Sequence, residues 1–364
     1  MNIAITTGGG DAPGLNAVIR SAVLSALGLG WTISGLRDGM RSLLVPEDYP
    51  EGPLTPLNQA SVRGITFRGG TILGSTNQAE PHRFPRKQAD GTILYEDRTA
   101  EVVERFRSLQ LDALISVGGD GSMAIAANIA RLGFPVVGVP KTIDNDLDGT
   151  VVTFGFDTAV EFATQCIDRL HSTAESHGRV MVVEVMGRYA GWIALESGLA
   201  GTADIILLPE IPFHLDKVAA AVKARDAKGL HSTLIVVAEG ARLESGDLVK
   251  KEAIGSTGED RLGGIGEYVA KQVEKLTGKE TRSCTLGHLQ RGGAPTSLDR
   301  ILGVRFGVHA VKLIKEGKFG RMVSYQQYHV GDVAIEEAVN QLRLVTNDSE
   351  IVDAARSIGV SFGD

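Results

Sequence analysis

The chain has 364 residues, of which 43% are hydrophobic and 22% charged, with a formal net charge of −7. That length exceeds what a single core usually serves, so two domains are expected. The acidic balance argues against nucleic acid as a partner. No signal peptide and no apolar run of about 18 residues is present, which argues against export or a membrane span and makes a cytoplasmic protein the expectation.

In chain order, residues 2–7 read as a strand, followed by the turn Gly8, Gly9, Gly10, Asp11 and a helix over 16–27. A second strand over 31–36 ends at Arg37 and Asp38. A glycine turn with an acid beyond the next strand also suits a dinucleotide fold, hence an NAD-dependent oxidoreductase, although the third glycine is misplaced. Residues 43–63 read as loop plus a short helix, 81–97 as a surface hairpin and 99–109 as an amphipathic helix. Between the loop and the hairpin lies a second glycine-rich stretch, Gly69 to Asn77.

The stretch 114–146 carries the densest chemistry. Two short β-branched runs, 114–117 and 136–139, read as buried strands of a parallel sheet. The first leads into Gly118, Gly119, Asp120, Gly121 and Ser122, the second into a turn from Pro140 to Asp146. A helix between them should bury Ile125, Ile129 and Leu132 and stop at Gly133. Glycines and a helix N-terminus suit a phosphate, and an acid among them needs a cation, so Asp120 reads as a Mg²⁺ ligand. Asp144 is the candidate to take a proton from an attacking hydroxyl, and Lys141 to neutralise charge on a transferring phosphoryl group. No G-x-x-x-x-G-K-[ST] loop occurs, so this is not an ordinary P-loop enzyme.

Further on, a helix over 154–173, a strand over 179–185 and a helix over 190–199 surround Met186, Gly187 and Arg188. A guanidinium at a strand end grips a phosphoryl group in two-pronged fashion, so Arg188 is the candidate transition-state arginine. Buried strands over 205–208 and 234–237 follow, the second ending at Glu239. Residues 243–266 read as a polar, mobile or subunit-contact loop. His288 and Arg291, in a glycine-rich turn with Leu289 and Gln290, form a basic cluster apt for a sugar phosphate. A helix over 297–315 and a helical tail over 334–358, without a chemical motif, complete the chain.

Four separated motifs, GGDGS, PKTIDND, VEVMGRYAG and LGHLQRGGAP, together resemble the signature set of the phosphofructokinase family from residue 1 to at least Arg300. The resemblance implies two doubly wound α/β domains with the active site in the cleft between them. The phosphoryl-donor domain would be 1–150 plus about 290–340, and the sugar-phosphate domain about 151–289 plus 341–364. It implies Mg²⁺-dependent transfer of the γ-phosphoryl group of ATP to the 1-hydroxyl of fructose 6-phosphate. Gly10, Asp11, Asn77, Gly119, Asp120, Gly121 and Ser122 would bind the donor. Thr142, Ile143, Asp144, Met186, Gly187, Arg188, Glu239, His288, Leu289, Gln290 and Arg291 would bind the acceptor, with Thr142 and Arg188 steadying the transferred group. Arg179 and Arg282 would arrive from a neighbouring subunit, so self-association is implied. Bacterial ATP-dependent members usually carry arginine where Asn77 stands; Arg83 and Arg86 lie close in sequence and are candidates to replace it. Arg20 matches the regulatory site of bacterial members, whereas Leu24 and His171 replace arginines, so altered regulation is expected.

Family members that use pyrophosphate resemble one another in carrying Asp after GGD and Lys before TIDND. Most ATP-dependent members have glycine at both. This chain has Gly121 and Lys141, a mixed pair. A carboxylate at 121 would repel a third phosphate, whereas glycine leaves room, so ATP is the expected donor and pyrophosphate the alternative. A silent binding protein is the remaining reading, and no expected acceptor residue is missing to favour it.

Overall fold

The protein is described by a computed structural model covering residues 1–77, 79–88, 90–245 and 263–364. The elements run β1 Asn2–Thr7, α1 Leu15–Gly28, β2 Thr32–Leu36, α2 Arg41–Leu44, β3 Leu54–Leu57, β4 Phe84–Lys87, β5 Ile93–Glu96, α3 Thr99–Ser108, β6 Ala113–Gly118, α4 Asp120–Arg131, β7 Val136–Thr142 and β8 Phe154–Gly155. Then follow α5 Phe156–His177, β9 Val180–Val185, α6 Trp192–Ala200, β10 Ile205–Leu207, α7 Leu215–Ala227, β11 Thr233–Ala238, α8 Ile265–Thr277, β12 Thr281–Thr285, α9 Ser297–Lys315, β13 Arg321–Gln326, β14 His329–Ala334, α10 Ile335–Val339 and α11 Glu350–Ser357. Among the described residues no helix is long and apolar enough to cross a membrane.

The chain divides into two compact units. The first comprises Met1–Ile143, Leu147–Asp157 and Arg291–Leu342; the second Asp144–Asp146, Thr158–Gln290 and Arg343–Asp364.

The first unit is built on a sheet of order β14-β13-β7-β6-β1-β2-β3, with β8 added to β7. Its middle strands β13, β7, β6, β1 and β2 are parallel, and β3 and β14 close the edges antiparallel. Alternate side chains point to opposite faces. Ile3, Ile5, Ile115 and Val137 therefore pack with α1 and α9 residues such as Val18 and Phe306. Ala4, Leu114 and Val136 pack with α3 and α4 residues such as Phe106 and Ala126. Deleting the fully buried Phe306 side chain should cost about 3–5 kcal/mol. Glycines let α9 approach α1 closely: a Cβ at Gly307 would stand 2.2 Å from Ser21 Oγ.

The second unit has a fully parallel sheet of order β10-β11-β9-β12. Val180, Ile205, Val237 and Ile235 pack there with α7 and α8 residues Val218, Val222, Val269 and Val273. The α/β class, with doubly wound sheets, is the one expected.

Several local expectations need correction. Leu54–Leu57, inside the expected loop, is an edge strand; antiparallel pairing on one side only tolerates Pro56. The antiparallel β13–β14 hairpin, extending the sheet at its other edge, was not legible as a regular alternation. Pro140, Lys141 and Thr142 belong to β7 and not to a turn, because β8 pairs Lys141 with Phe154 and Thr142 with Gly155, beyond the end of β6. Leu132 is 45% exposed at the end of α4, whose buried face is Met123, Ala126, Ala127 and Ile129. The helical tail is two short helices, α10 and α11, separated by irregular chain. The loop expected over 243–266 lies mostly outside the described residues, which exclude 246–262.

Candidate active site

In the first unit, the carboxyl ends of β1, β6 and β7 carry one continuous backbone cradle. Gly8 N–H donates to Val117 O (2.9 Å), Gly9 N–H to Thr76 O (3.2 Å), and Ser75 Oγ to Gly9 O (2.5 Å). Ser122, in the first turn of α4, nests against the two glycine ends. A Cβ at Gly8 would stand 2.7 Å from Ser122 Oγ, and one at Gly118 would stand 2.2 Å away. Gly9 has φ +72°, the left-handed region that glycine reaches without a steric penalty.

Lys141 is 3% exposed. Its ammonium donates to Gly8 O (3.0 Å) and to Gly10 O. A buried ammonium with carbonyl partners is retained because its donors are met. Thr142 lies beside the β6–α4 turn: a Cβ at Gly119 would stand 3.4 Å from Lys141 O and 3.8 Å from Thr142 Cβ. Arg291 Nη1 donates to Asp11 O (3.0 Å), and a Cβ at Gly10 would stand 2.9 Å from that nitrogen. Arg291 therefore covers the Gly10–Asp11 turn.

Asp120 and Gly121 are exposed at the N-terminus of α4, where the helix dipole is positive. A Cβ at Gly121 would meet nothing nearer than Glu80 Oε1 at 4.0 Å. Asn77 is exposed. The candidates to replace an arginine there have partners within the β4–β5 hairpin: Arg83 lies 4.5 Å from the Tyr95 ring centroid, and Arg86 pairs with Glu96 at 2.9 Å. No group of three or more His, Cys, Asp or Glu converges among the described residues. The exposed Asp120 carboxylate beside the glycine turns suits Mg²⁺, which keeps waters and shares substrate phosphate oxygens, and not an all-protein cage.

In the second unit, the carboxyl ends of β9 and β11 interlock. Glu239 N–H donates to Val185 O (2.8 Å) and Gly240 N–H to Gly187 O (3.1 Å). A Cβ at Gly240 would stand 2.0 Å from Arg188 O, so only glycine lets these tips meet. Gly187, between Met186 and Arg188, has φ +129°. The Arg188 guanidinium lies 5.2 Å from the Tyr189 ring centroid. This brings Met186, Gly187, Arg188 and Glu239 together. His288 is exposed and Leu289 is 65% exposed, whereas Gln290 is fully buried and donates to Gly287 O (3.1 Å), bracing that turn.

Arg179 and Arg282 lie elsewhere. Arg179 immediately precedes β9 and Arg282 is the second residue of β12, at the amino ends of paired strands. The length of β9, about 20 Å at 3.3 Å per residue, separates them from Arg188. Glu280 pairs with both, at 2.9 Å to Arg179 Nε and 2.6 Å to Arg282 Nη2. The Arg179 guanidinium, chiefly, holds its carboxyl below the usual range.

Sequence reasoning missed the support of the Asp144–Asp146 turn. Arg343, from the tail, donates its backbone N–H to Asp146 O (2.8 Å) and Nη1 to Asn145 O (3.1 Å). No spacing links residues 145 and 343, so nothing in the sequence announces this pair.

A family model described as phosphofructokinase matches residues 2–314. The ATP-dependent 6-phosphofructokinase of Chloroflexus aurantiacus is 50% identical, covering 100% of this chain and 98% of its own. The pyrophosphate–fructose 6-phosphate 1-phosphotransferase of Streptomyces coelicolor is 48% identical over 100% of both chains. Among solved structures, Pichia pastoris phosphofructokinase in the T-state superposes with a TM-score of 0.79 at 29% identity, covering 98% of this chain and 36% of that one. The oxidoreductase alternative finds no support in these likenesses. With its signature motifs on the strand tips and the family match spanning most of its length, the chain belongs to the phosphofructokinase family, phosphotransferases that act on a sugar hydroxyl.

Proposed function

We propose that the protein is an ATP-dependent 6-phosphofructokinase. It transfers the γ-phosphoryl group of ATP to the 1-hydroxyl of fructose 6-phosphate, giving fructose 1,6-bisphosphate and ADP. The observation that carries the donor assignment is Gly121: it is exposed, and where a side chain would begin nothing lies nearer than Glu80 Oε1 at 4.0 Å. A third phosphate meets neither bulk nor charge from residue 121 itself.

The first unit acts as the donor unit. Its glycine turns present backbone N–H groups to the polyphosphate, with Ser122 and Asn77 beside them and Asp11 at the mouth of the first turn. Asp120 would hold Mg²⁺, which supplies charge neutralisation on the phosphate oxygens. The second unit acts as the sugar-phosphate unit, Glu239 accepting from a sugar hydroxyl and His288 binding the 6-phosphate; Arg291, which the family resemblance assigns to the same phosphate, belongs to the first unit. Asp144 accepts the proton of the 1-hydroxyl as its oxygen attacks the γ-phosphorus. The bond to the bridging oxygen breaks and ADP leaves. Thr142 and Arg188 stabilise the charge on the transferring group. Arg179 and Arg282 act on the sugar phosphate of a neighbouring copy, which accounts for their separation from Arg188. The enzyme is accordingly a cytoplasmic homo-oligomer of glycolysis.

Lys141 is the feature shared with pyrophosphate-dependent members, and a relative of that activity is close in sequence. Its ammonium donates to carbonyls of the first glycine turn, an organising role that either donor would use. The test is to supply ATP labelled at the γ-phosphorus with fructose 6-phosphate and Mg²⁺. Label recovered in the 1-phosphate of fructose 1,6-bisphosphate supports the assignment; label released only as inorganic phosphate, or not transferred, rejects it.

A further inference from the structure

Taking Asp144 as the proton acceptor, we infer that Arg343 is a positioning residue for phosphoryl transfer, holding the 144–146 turn in the shape that presents the Asp144 carboxylate. That turn needs holding. Asn145 has φ +53°, a left-handed conformation uncommon outside glycine. Such a conformation persists where its surroundings over-determine it. Arg343 supplies those surroundings from both its backbone and its side chain. The N–H bond to Asp146 O and the guanidinium bond to Asn145 O fix two successive carbonyls of the turn. The guanidinium lies 4.3 Å from the Trp192 ring centroid, and Trp192 Nε1 donates back to Arg343 O at 2.8 Å.

Asn145 is 2% exposed and Trp192 8%. The bonds are thus sheltered from water, where each is stronger and its loss more costly. A planar guanidinium stacks on an indole while donating from its edge; an ammonium does not combine the two. Two residues on, Val345 N–H donates to Glu210 Oε1 (2.9 Å), and Gly191 N–H donates to both oxygens of the same carboxylate (2.9 and 3.2 Å). Gly191 lies three residues after Arg188. One short tail segment, 343–345, therefore ties the turn bearing the candidate base to the turn bearing the candidate transition-state arginine. Arg343 acts through Asp144 and not on the substrate.

The experiment is a mutant cycle on the full-length protein, with ATP, fructose 6-phosphate and Mg²⁺. Arg343→Met should lower kcat by about tenfold to a hundredfold, the scale of a small misplacement of a catalytic group. KM for both substrates should stay within about threefold. Arg343→Lys, which keeps the charge and a donor but not the stack, should recover part of kcat. In an Asp144→Ser background, Arg343→Met should cost less than about twofold more, because the group it positions is already gone. Wild-type kcat in folded Arg343→Met overturns the inference, as does a loss that multiplies undiminished onto Asp144→Ser. Should Arg343→Met fail to fold, Trp192→Phe, which removes the donor to Arg343 O but keeps an aromatic ring, carries the same two readings. Asp144→Ser measured alone separates the failures: full turnover there sinks the base assignment itself, whereas its loss beside an active Arg343→Met sinks only the role of Arg343.

Discussion

The strand tips of the two units hold their candidate functional groups by different means. In the first unit the cradle is backbone: Gly8, Gly9, Gly118 and Gly119 are shaped by Ser122, Ser75 and Lys141, all within or beside the glycine turns or on the next strand. In the second unit the candidate groups are side chains, and their posture depends on residues outside any motif, Arg343 for the 144–146 turn and Glu210 for the approach to α6. Backbone cradles suit a polyphosphate, whose charge is spread over many oxygens. A proton transfer needs one carboxylate placed to within a fraction of an ångström, which side-chain bracing supplies.

The largest expected effect tests the side-chain half. Asp144→Ser should lower kcat by about a thousandfold with little change in KM, as loss of a general base does. Steady-state kinetics showing near-full turnover would remove Asp144 from its role. Next comes the backbone half. Gly121→Asp should fold normally, since a Cβ there meets nothing nearer than Glu80 Oε1 at 4.0 Å, yet raise KM for ATP at least about tenfold by repelling phosphate. Gly121→Ala is the control that adds bulk without charge. Unchanged ATP kinetics in Gly121→Asp would break the donor account.

Lys141→Met sharpens the comparison by removing the brace of the cradle. Each hydrogen bond from a charged group is worth about 1.5–3 kcal/mol, so a fall of several degrees in Tm is expected. KM for ATP should rise and KM for fructose 6-phosphate hold; the reverse pattern would assign Lys141 to the acceptor half. The smallest effect is a gain. Glu280 occupies the Arg179–Arg282 pair that a sugar phosphate would use, so Glu280→Gln should tighten fructose 6-phosphate binding about two- to fivefold, the scale of an exposed ion pair. The depressed pKa keeps Glu280 ionised across neutral pH, and its pairing is lost only as pH falls through that lowered value. The gain should therefore be flat from about pH 6 to 8. Weaker binding in Glu280→Gln would make the glutamate a support for the arginines and not a competitor.

This division also explains what the sequence discloses. Glycine turns after β-branched runs are local, so the first unit's cradle, Asp120 and Ser122 could be read directly from residues 114–122. Helices α3 and α9 and the buried parallel strands were legible for the same reason: period and composition are short-range signals. β3 was hidden by Pro56, and the extension of β7 through Thr142 by its dependence on β8, residues away in the chain. The exposure of Leu132 reflects where α4 faces the sheet, which its own periodicity did not settle. Arg343 carried no signal at all, because a bond to the carbonyl of Asn145 needs no motif.

The most direct test of ATP-dependent 6-phosphofructokinase activity is a comparison of initial rates with ATP and with pyrophosphate at matched fructose 6-phosphate and Mg²⁺. A kcat/KM for ATP at least about a hundredfold above that for pyrophosphate is the predicted result, equivalent to about 2.7 kcal/mol of donor discrimination. A preference for pyrophosphate would contradict it, and would mean that the open position at Gly121 does not set the donor.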